Sequence, residues 1–208
     1  MKRPDPKSYL RGIYDRAVTK RERTPTPAWE IEPRDAFLRL LEEESAQSLL
    51  ELGAATGRDG AFFREHGIAV MCTDLSPEMV QRCQQQGLEA RVMEVGDLRF
   101  EPETFDAAYA KNCLIHVPNA ELETTLAGIA RVLKPRGLFY LSVYGGSAFE
   151  GIWDGDSWEE KRFFSFRSDE ELRAAVTRSF DVYSFEAIPH GFGGYHYQSL
   201  VLRKPGGS

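Results

Sequence analysis

The sequence lacks long apolar runs, a paired set of cysteines and an excess of basic residues, and each absence excludes a class of protein. The longest apolar stretches are only a few residues, too short to span a bilayer or to form the core of a signal peptide. The three cysteines, Cys72, Cys83 and Cys113, are odd in number and form no CxxC motif. Neither a disulfide framework nor a structural zinc site is therefore expected, and the cytoplasm is the expected location.

The net charge of -6 argues against a dedicated nucleic-acid-binding protein, which needs a basic face to displace the counterions of phosphates. The charge is unevenly distributed, however. Residues 1–34 hold nine basic and five acidic side chains, a balance of +4 that leaves -10 for residues 35–208. This basic arm is interpreted either as a solvated terminal helix or as a contact for an anionic substrate.

Short apolar runs that alternate with helical segments dominate the middle of the chain. The predicted strands are 48–52, 69–73, 89–95, 105–110 and 138–143, and the predicted helices are 7–22, 34–44, 58–66, 77–86, 119–133 and 168–179. Such alternation builds a mostly parallel sheet with helices on both faces. Two final strands, 180–187 and 196–203, are joined by a connection too short for a crossover helix, so they are predicted to pair antiparallel. The sequence thus predicts one α/β domain.

The turn after the first predicted strand carries the clearest chemical signal. Glycines at Gly53 and Gly57 open the strand into a helix, which lets the backbone approach a ligand closely. Asp74 ends the next strand, 21 residues after Gly53, where a carboxylate can accept hydrogen bonds from both hydroxyls of a ribose. A dinucleotide fingerprint would need glycine where the chain has Ala55 and Arg58. The spacing therefore predicts a different adenosine-containing ligand.

Five motifs resemble, in order, those of class I S-adenosylmethionine-dependent methyltransferases: LLELGAATGRDGAFF, VMCTDLSPEMV, GDLRF, FDAAYAKNCLIHVP and IARVLKPRGLFYLSVYGG. The resemblance covers about residues 45 to 145. It implies a Rossmann-like seven-stranded sheet in the order 3-2-1-4-5-7-6, with strand 7 antiparallel. It also implies S-adenosyl-L-methionine as the cofactor and S-adenosyl-L-homocysteine as the product. Residues 1–44 would form a helical lid, and residues 45–208 the cofactor-binding domain.

Carried onto this chain, the resemblance implies that Asp74 holds the ribose, that Asp97 accepts from the adenine amino group and that Glu51 orients the glycine turn. The implied cofactor-binding residues are Tyr14, Glu51, Gly53, Ala54, Ala55, Gly57, Asp74, Leu75, Met79, Asp97, Leu98, Lys111, Asn112 and Cys113. The family's middle glycine is Ala55 here. The additional methyl group costs most if the backbone dihedral φ is positive at this position.

Acceptor recognition is expected from the amino-terminal helix, from residues 145–166 and from the tip of the last hairpin. The 145–166 segment shows no helix or strand pattern, and its aromatic residues suit either a pocket wall or a seal over the sheet edge. The predicted acceptor contacts are Tyr9, Tyr144, Trp153, Trp158, Arg162, Phe163, His190 and Tyr195. His116 is interpreted either as a general base or as a hydrogen-bonded wall residue.

The predicted reaction is methyl transfer by in-line displacement to an oxygen or nitrogen of a small molecule. A sulfonium already carries a good leaving group, so no metal is expected, and neither a membrane nor a nucleic acid is an expected partner. The sequence leaves the oligomeric state open. Three alternatives remain: an NAD(P)-dependent reductase on a related sheet, a non-catalytic module that binds the cofactor or scaffolds a partner, and a methyltransferase of tRNA or protein.

Overall fold

A seven-stranded sheet organises the chain in the computed structural model, which describes residues 6–189 and 194–206. The elements are α1 (Pro6–Asp15), α2 (Val18–Arg23), α3 (Ala28–Glu43), β1 (Ser48–Leu52), α4 (Arg58–Glu65), β2 (Ala69–Asp74), α5 (Pro77–Gln85), β3 (Glu89–Val92), β4 (Phe105–Lys111), a 3₁₀ turn (Leu114–His116), α6 (Asn119–Val132), β5 (Leu133–Gly145), β6 (Phe149–Ile152), β7 (Phe163–Phe166), α7 (Asp169–Val176), β8 (Asp181–Ile188) and β9 (His196–Arg203). Within the described residues, no helix combines the length and apolar character that crossing a membrane requires.

The strands of the main sheet lie in the order β3-β2-β1-β4-β5-β9-β8. The pairs formed among β1 to β5 are parallel, whereas β9 runs antiparallel to both β5 and β8. When the separate β6–β7 hairpin is left out of the count, this is the predicted order 3-2-1-4-5-7-6, and the prediction is confirmed. Because β1, β2 and β4 are parallel, their carboxyl ends meet at one edge of the sheet, where ligands bind in open α/β folds.

Alternate residues of the central strands point to opposite faces of the sheet, and both faces are covered. Leu50 and Ala108 pack in a hydrophobic cluster with side chains of α6 and α7. Leu49 and Ala107 pack in a second cluster with side chains of α3, α4 and α5. All four residues are fully buried. The middle parts of these strands are therefore apolar and buried, and polar functional side chains are expected at the strand ends and in the loops.

The amino-terminal segment differs from the prediction, because the single helix expected over 7–22 is two helices. A turn with Ala17 N donating to Tyr14 O at 3.0 Å separates α1 from α2. The end of α2 is capped from a distance: the Arg58 guanidinium donates to the carbonyls of Arg21, Glu22 and Thr24 at 3.4, 3.1 and 2.9 Å. Arg58 begins α4, so this contact joins segments more than thirty residues apart. A local sequence pattern cannot reveal it.

Helix α3 was predicted over 34–44 but begins at Ala28, with Pro33 inside it. The additional turn is held by tertiary contacts of Glu30, which accepts from Asn112 Nδ2 at 3.1 Å and lies 3.4 Å from Lys111 Nζ. Strand β3 ends at Val92 rather than at residue 95, so that the next residues leave the sheet. Strand β5 is longer at both ends than the predicted 138–143.

Residues 145–166 were predicted to lack secondary structure, and this was wrong. They contain the antiparallel hairpin of β6 and β7, with Phe149 paired to Phe166 and Ile152 paired to Phe163. Phe164 and Phe166 are buried in the main hydrophobic cluster, so core packing stabilises strands that are only four residues long. The residues between β6 and β7 are left to reach toward the carboxyl edge of the sheet.

Candidate functional site

Two adjoining cavities lie at the carboxyl ends of β1, β2 and β4. The β2-side cavity, of about 120 Å³, is lined by Leu75, by residues 93–96 and by Thr125. The β5-side cavity, of about 450 Å³, is lined by residues 24–27, Asp59, Tyr144, Trp153 and Arg162. The walls shared by both cavities are Tyr14, Arg21, Gly53, Ala55, Lys111, Asn112 and His116. Two ligands bound side by side would therefore meet at these shared residues.

The turn that separates the cavities adopts left-handed backbone conformations. The dihedral φ is +66° at Gly53, +49° at Ala55 and +81° at Gly57. A side chain at position 53 would in addition overlap Cys113, so this glycine is required by space as well as by conformation. Ala55 is thus an L-residue in a conformation that costs such residues about 1–2 kcal/mol. Ala55, which replaces the family's usual glycine, therefore lies at a position where a side chain costs conformational free energy.

Asp74 fastens this turn to the end of β2. Its Oδ2 accepts from the backbone N–H of Ala55 at 2.8 Å, and its Oδ1 accepts from that of Ser76 at 2.9 Å. Burial raises the pKa of Asp74, while the two backbone donors act to lower it. Leu75 lines the β2-side cavity, but Met79 is fully buried in α5 and lines neither cavity.

The segment after β3 supplies an acidic residue that the sequence analysis missed. Glu94 lines the β2-side cavity and forms an ion pair with Lys7 of α1. The predicted Asp97 instead lies on the surface, 2.6 Å from Arg99, and Leu98 is buried in the core. Neither residue lines a cavity. Glu94 is only two residues past the end of β3, and this closeness to a strand end was the available signal.

A buried charge network lies beneath the turn, against the β5-side cavity. Lys111 at the end of β4 pairs with Asp59 of α4 at 2.5 Å and with Glu30 of α3 at 3.4 Å. Burial acts to lower the pKa of Lys111, but the neighbouring carboxylates Asp59 and Glu30 outweigh it and raise the pKa. Glu51, at the end of β1, is fully buried, and burial together with Asp59 raises its pKa well above the usual range. The sequence analysis missed Asp59 and Glu30, which enter through tertiary contacts.

Asn112 follows Lys111 at the end of β4 and has a positive φ of +56°. Its amide N–H donates to Glu30, whereas its Oδ1 is buried without a hydrogen-bond partner among the described residues. A buried acceptor without a partner costs free energy, which a donor from a ligand or from a bound water would offset. Asn112 lines both cavities, so a donor in either one could satisfy it.

His116 stands at the junction of the cavities with both ring nitrogens engaged. Its Nδ1 lies 2.8 Å from the Phe163 carbonyl of β7, and its Nε2 lies 2.7 Å from the Tyr14 hydroxyl. The Arg162 guanidinium donates to the same hydroxyl at 3.0 Å. Because a carbonyl can only accept, Nδ1 carries the proton and Nε2 accepts from Tyr14. Burial lowers the pKa of His116 to about 3, so the ring is neutral.

Asp156 fixes Arg162 at the far end of this chain of hydrogen bonds. The Asp156 carboxylate accepts from Arg162 Nε at 2.8 Å and Nη2 at 2.7 Å, and it is itself buried. Trp158 packs against the Arg162 guanidinium at 4.1 Å and against the Tyr14 ring, edge to face, at 5.6 Å. Residues 153–162 are therefore a structured wall rather than an idle connection.

Of the remaining predicted residues, some line one of the two cavities and others line neither. Those that line a cavity are Glu51, Gly53, Ala54, Tyr144, Trp153 and Cys113. Those that line neither are Gly57, Tyr9, Trp158, Phe163 and Tyr195. Of these, Phe163 contributes its carbonyl to His116, and Tyr195 packs behind the wall against Phe166 at 4.3 Å. His190 lies outside the described residues. The described part of the chain holds no group of three potential metal ligands.

Comparison with known proteins agrees with this architecture. Residues 50–141 match the profile of the methyltransferase domain family. Over 136 residues, the chain is 36% identical to the demethylmenaquinone methyltransferase of Tropheryma whipplei (strain Twist), a match that covers 62% of this chain and 56% of that one. The chain thus spans about half the length of this curated relative.

Two solved structures have the same fold. One is the 1,6-didemethyltoxoflavin-N1-methyltransferase of Burkholderia thailandensis, with a TM-score of 0.76, 24% identity and coverage of 99% of this chain and 92% of that chain. The other is the PH0226 protein of Pyrococcus horikoshii OT3, with a TM-score of 0.68, 19% identity and coverage of 84% and 89%. Residues 50–141 therefore match the methyltransferase domain family, and the sheet that contains them has the fold of these two solved structures.

Proposed function

We propose that the protein transfers a methyl group from S-adenosyl-L-methionine to a small molecule. The observation that carries the proposal is the pair of adjoining cavities, which meet at the glycine turn and at the ends of β1, β2 and β4. The cofactor would extend from the β2-side cavity past the turn, and the acceptor would occupy the β5-side cavity. When bound, the cofactor supplies an activated methyl group on a sulfonium.

The residues of the β2-side cavity fit an adenosine. Asp74 ends β2 beside the cavity and is proposed to accept from the ribose hydroxyls in addition to its backbone donors. Leu75 offers an apolar surface for the adenine ring. We assign the contact with the adenine amino group to Glu94 rather than to Asp97, because Glu94 lines the cavity and Asp97 lies outside it at the surface.

The charge network beneath the turn fits the cationic end of the cofactor. Glu30 and Asp59 place two carboxylates against Lys111, so the network has an excess of negative charge, while the raised pKa of the buried Glu51 favours its neutral form. The orphaned Asn112 Oδ1 offers an acceptor for an ammonium N–H. An ammonium and a sulfonium are both stabilised by such surroundings, because opposite charges in a partly buried site are weakly screened.

The β5-side cavity suits a small, partly aromatic acceptor. Tyr144, Trp153 and Phe164 give it an apolar wall, while Arg162 and Asp59 give it polar groups that can fix an orientation. The demethylmenaquinone and 1,6-didemethyltoxoflavin methyltransferases carry small-molecule acceptors in their names, which supports this choice of acceptor class. The protein's own part in catalysis would be to align the nucleophile with the methyl group and to exclude water.

Calorimetric titration tests the proposal directly. S-adenosylhomocysteine should bind, whereas NAD⁺ should not, and preferred binding of NAD⁺ would favour the reductase alternative. Incubation with isotopically labelled cofactor and a metabolite extract should then yield a labelled small molecule. Cofactor binding without any methyl transfer would favour a non-catalytic module. Label recovered only in protein or RNA would mean that the acceptor is that macromolecule rather than a small molecule.

A further inference from the structure

Arg21 of α2 lies at the junction of the two cavities and, like Lys111, lines both. Its guanidinium carbon lies 5.7 Å from the centre of the Tyr14 ring and 5.9 Å from that of the Trp158 ring. Tyr14 lines both cavities, and Trp158, which lines neither, packs edge to face on the Tyr14 ring. Arg21 therefore stands beside the place where a nucleophile would meet the methyl group.

Arg21 also lacks the partners that the other cavity cations have. The cations that line the cavities are Lys7, Arg21, Arg58, Lys111 and Arg162. Lys111 is paired with Asp59, and Arg162 is paired with Asp156. Among the described residues, no carboxylate lies within 4.0 Å of the Arg21 guanidinium, and its buried Nε has no hydrogen-bond partner. A partly buried cation in this position is incomplete without an anion.

Asp74 shares the β2-side cavity with Arg21 and is not that anion. The charge of Arg21 acts to lower the pKa of Asp74, so the two groups sense each other across the cavity. The Asp74 oxygens, however, are directed at the backbone N–H groups of Ala55 and Ser76. The place next to Arg21 therefore remains open to an anionic group on a ligand.

The hydrogen bonds of His116 are compatible with the same kind of ligand. Arg162 can only donate and the Phe163 carbonyl can only accept, so the chain from Arg162 through Tyr14 and His116 runs in one direction. The single lone pair of the neutral imidazole is thus occupied by the Tyr14 hydroxyl. Among the described residues, the two cavities are therefore lined by no free histidine base for a nucleophile that must lose a proton. An anion, or a neutral amine with its own lone pair, needs none.

We propose, on the basis of the proposed function, that the acceptor arrives as an anion and that Arg21 recognises its charge. The reactive group would be a carboxylate, enolate or phenolate oxygen. That oxygen forms the bond to the methyl carbon, the carbon–sulfur bond breaks, and its electron pair goes to the sulfur. The anion and the sulfonium become a neutral methyl ester or ether and a neutral sulfide, and no proton is transferred.

Benzoate and benzamide are suitable probes, because they match in size and differ in charge. In titrations of protein saturated with S-adenosylhomocysteine, benzoate should bind about tenfold more tightly than benzamide. Arg21→Met should abolish this preference, and Arg21→Lys should retain part of it. The control Arg23→Met alters an exposed cation of the same helix and should leave the preference unchanged. Equal affinity for the two probes, or a preference that survives in Arg21→Met, would overturn the proposal.

A second comparison distinguishes an acceptor anion from the carboxylate of the cofactor itself. S-adenosylhomocysteine has that carboxylate, and 5′-methylthioadenosine lacks it. If Arg21→Met weakens the former about tenfold and leaves the latter unchanged, Arg21 binds the cofactor and the acceptor proposal is wrong. Failure of the wild-type protein to bind S-adenosylhomocysteine would instead contradict the proposed function, which keeps the two failures distinct.

Discussion

The two cavities are built in different ways. On the β2 side, Asp74 holds backbone N–H groups that are 19 and 2 residues away along the chain. On the β5 side, side chains hold side chains over long separations, with 102 residues between Tyr14 and His116 and 148 between Tyr14 and Arg162. The β2 side is therefore fixed by a strand end and its turn. The β5 side exists only when the amino-terminal segment, β4 and the β6–β7 hairpin have come together.

This difference suggests that the two halves of the site can be altered separately. A turn attached to the central sheet tolerates little change, because its conformation and the packing beneath it are coupled. A wall assembled from side chains can be rebuilt one residue at a time without disturbing the sheet. We expect changes on the β2 side to affect cofactor affinity and changes on the β5 side to affect turnover.

The largest effect is expected from Asp74→Ala. Loss of hydrogen bonds to a charged group costs about 1.5–3 kcal/mol, which corresponds to roughly ten- to a hundredfold weaker binding of S-adenosylhomocysteine in calorimetry. Asp74→Asn keeps the shape and one acceptor oxygen, and it should fall between the variant and the wild type. Unchanged affinity in Asp74→Ala would remove this residue from the cofactor site.

A smaller effect, on methyl transfer rather than on cofactor affinity, is expected from Tyr14→Phe. The change keeps the ring but leaves His116 Nε2 and one Arg162 N–H without their partner. Methyl transfer, measured with labelled cofactor, should fall about tenfold while the affinity for S-adenosylhomocysteine changes less than about threefold. Tyr9→Phe serves as the matched control, since Tyr9 lines neither cavity. An equal loss in both variants would restore Tyr9 as an acceptor contact.

The acid stability of the fold tests the state of His116. Burial lowers its pKa to about 3; Arg162 and Arg21 act in the same direction, while the Phe163 carbonyl and Asp156 oppose it. The unfolded chain, with a histidine pKa of about 6.5, then binds more protons than the folded chain between these values. The contribution to stability is complete above pH 6.5 and is lost as the pH falls toward 3, by up to about 1.4 kcal/mol per pH unit.

Chemical denaturation of the wild type and of His116→Gln between pH 7.5 and 4.5 measures this contribution. The difference between the two free energies of unfolding should narrow as the pH falls, because only the wild type has the imidazole to protonate. A constant difference would mean that the pKa of His116 is the same in the folded and the unfolded chain, which would contradict its burial as a neutral ring. A difference that widens as the pH falls would mean that the ring is charged in the folded protein, and the direction assigned to its hydrogen bond with Tyr14 would then be wrong.

The smallest effect is expected from Ala55→Gly. Glycine relieves the left-handed strain but adds freedom to the unfolded chain, and both contributions are about 1 kcal/mol. The free energy of unfolding should therefore change by less than about 1 kcal/mol, whereas Ala55→Val should destabilise the protein clearly because it is β-branched at positive φ. Equal stability of the glycine and valine variants would contradict the backbone conformation of the turn.

Prediction from the sequence succeeded where the cause is local. The antiparallel last pair and the position of Asp74 follow from strand patterns and from the residues next to strand ends, whereas the sheet order was implied by the family resemblance. The break at Ala17 and the β6–β7 hairpin did not follow, because they depend on Arg58 and on the packing of Phe164. The residues of the β5-side wall were mostly named in advance, but no local pattern could give the hydrogen bonds that join them.

Arg58 has a consequence for the speed of ligand exchange. It begins the helix that follows the glycine turn, and it also holds the final carbonyls of α2. A ligand bound at the turn would thus be covered by α2, which Arg58 holds to the helix that follows the turn. Moving α2 away breaks the hydrogen bonds from Arg58 whether or not a ligand is bound, so ligand association and dissociation are slowed together. We therefore expect the Arg58 guanidinium to affect the residence time of the ligand rather than its equilibrium affinity.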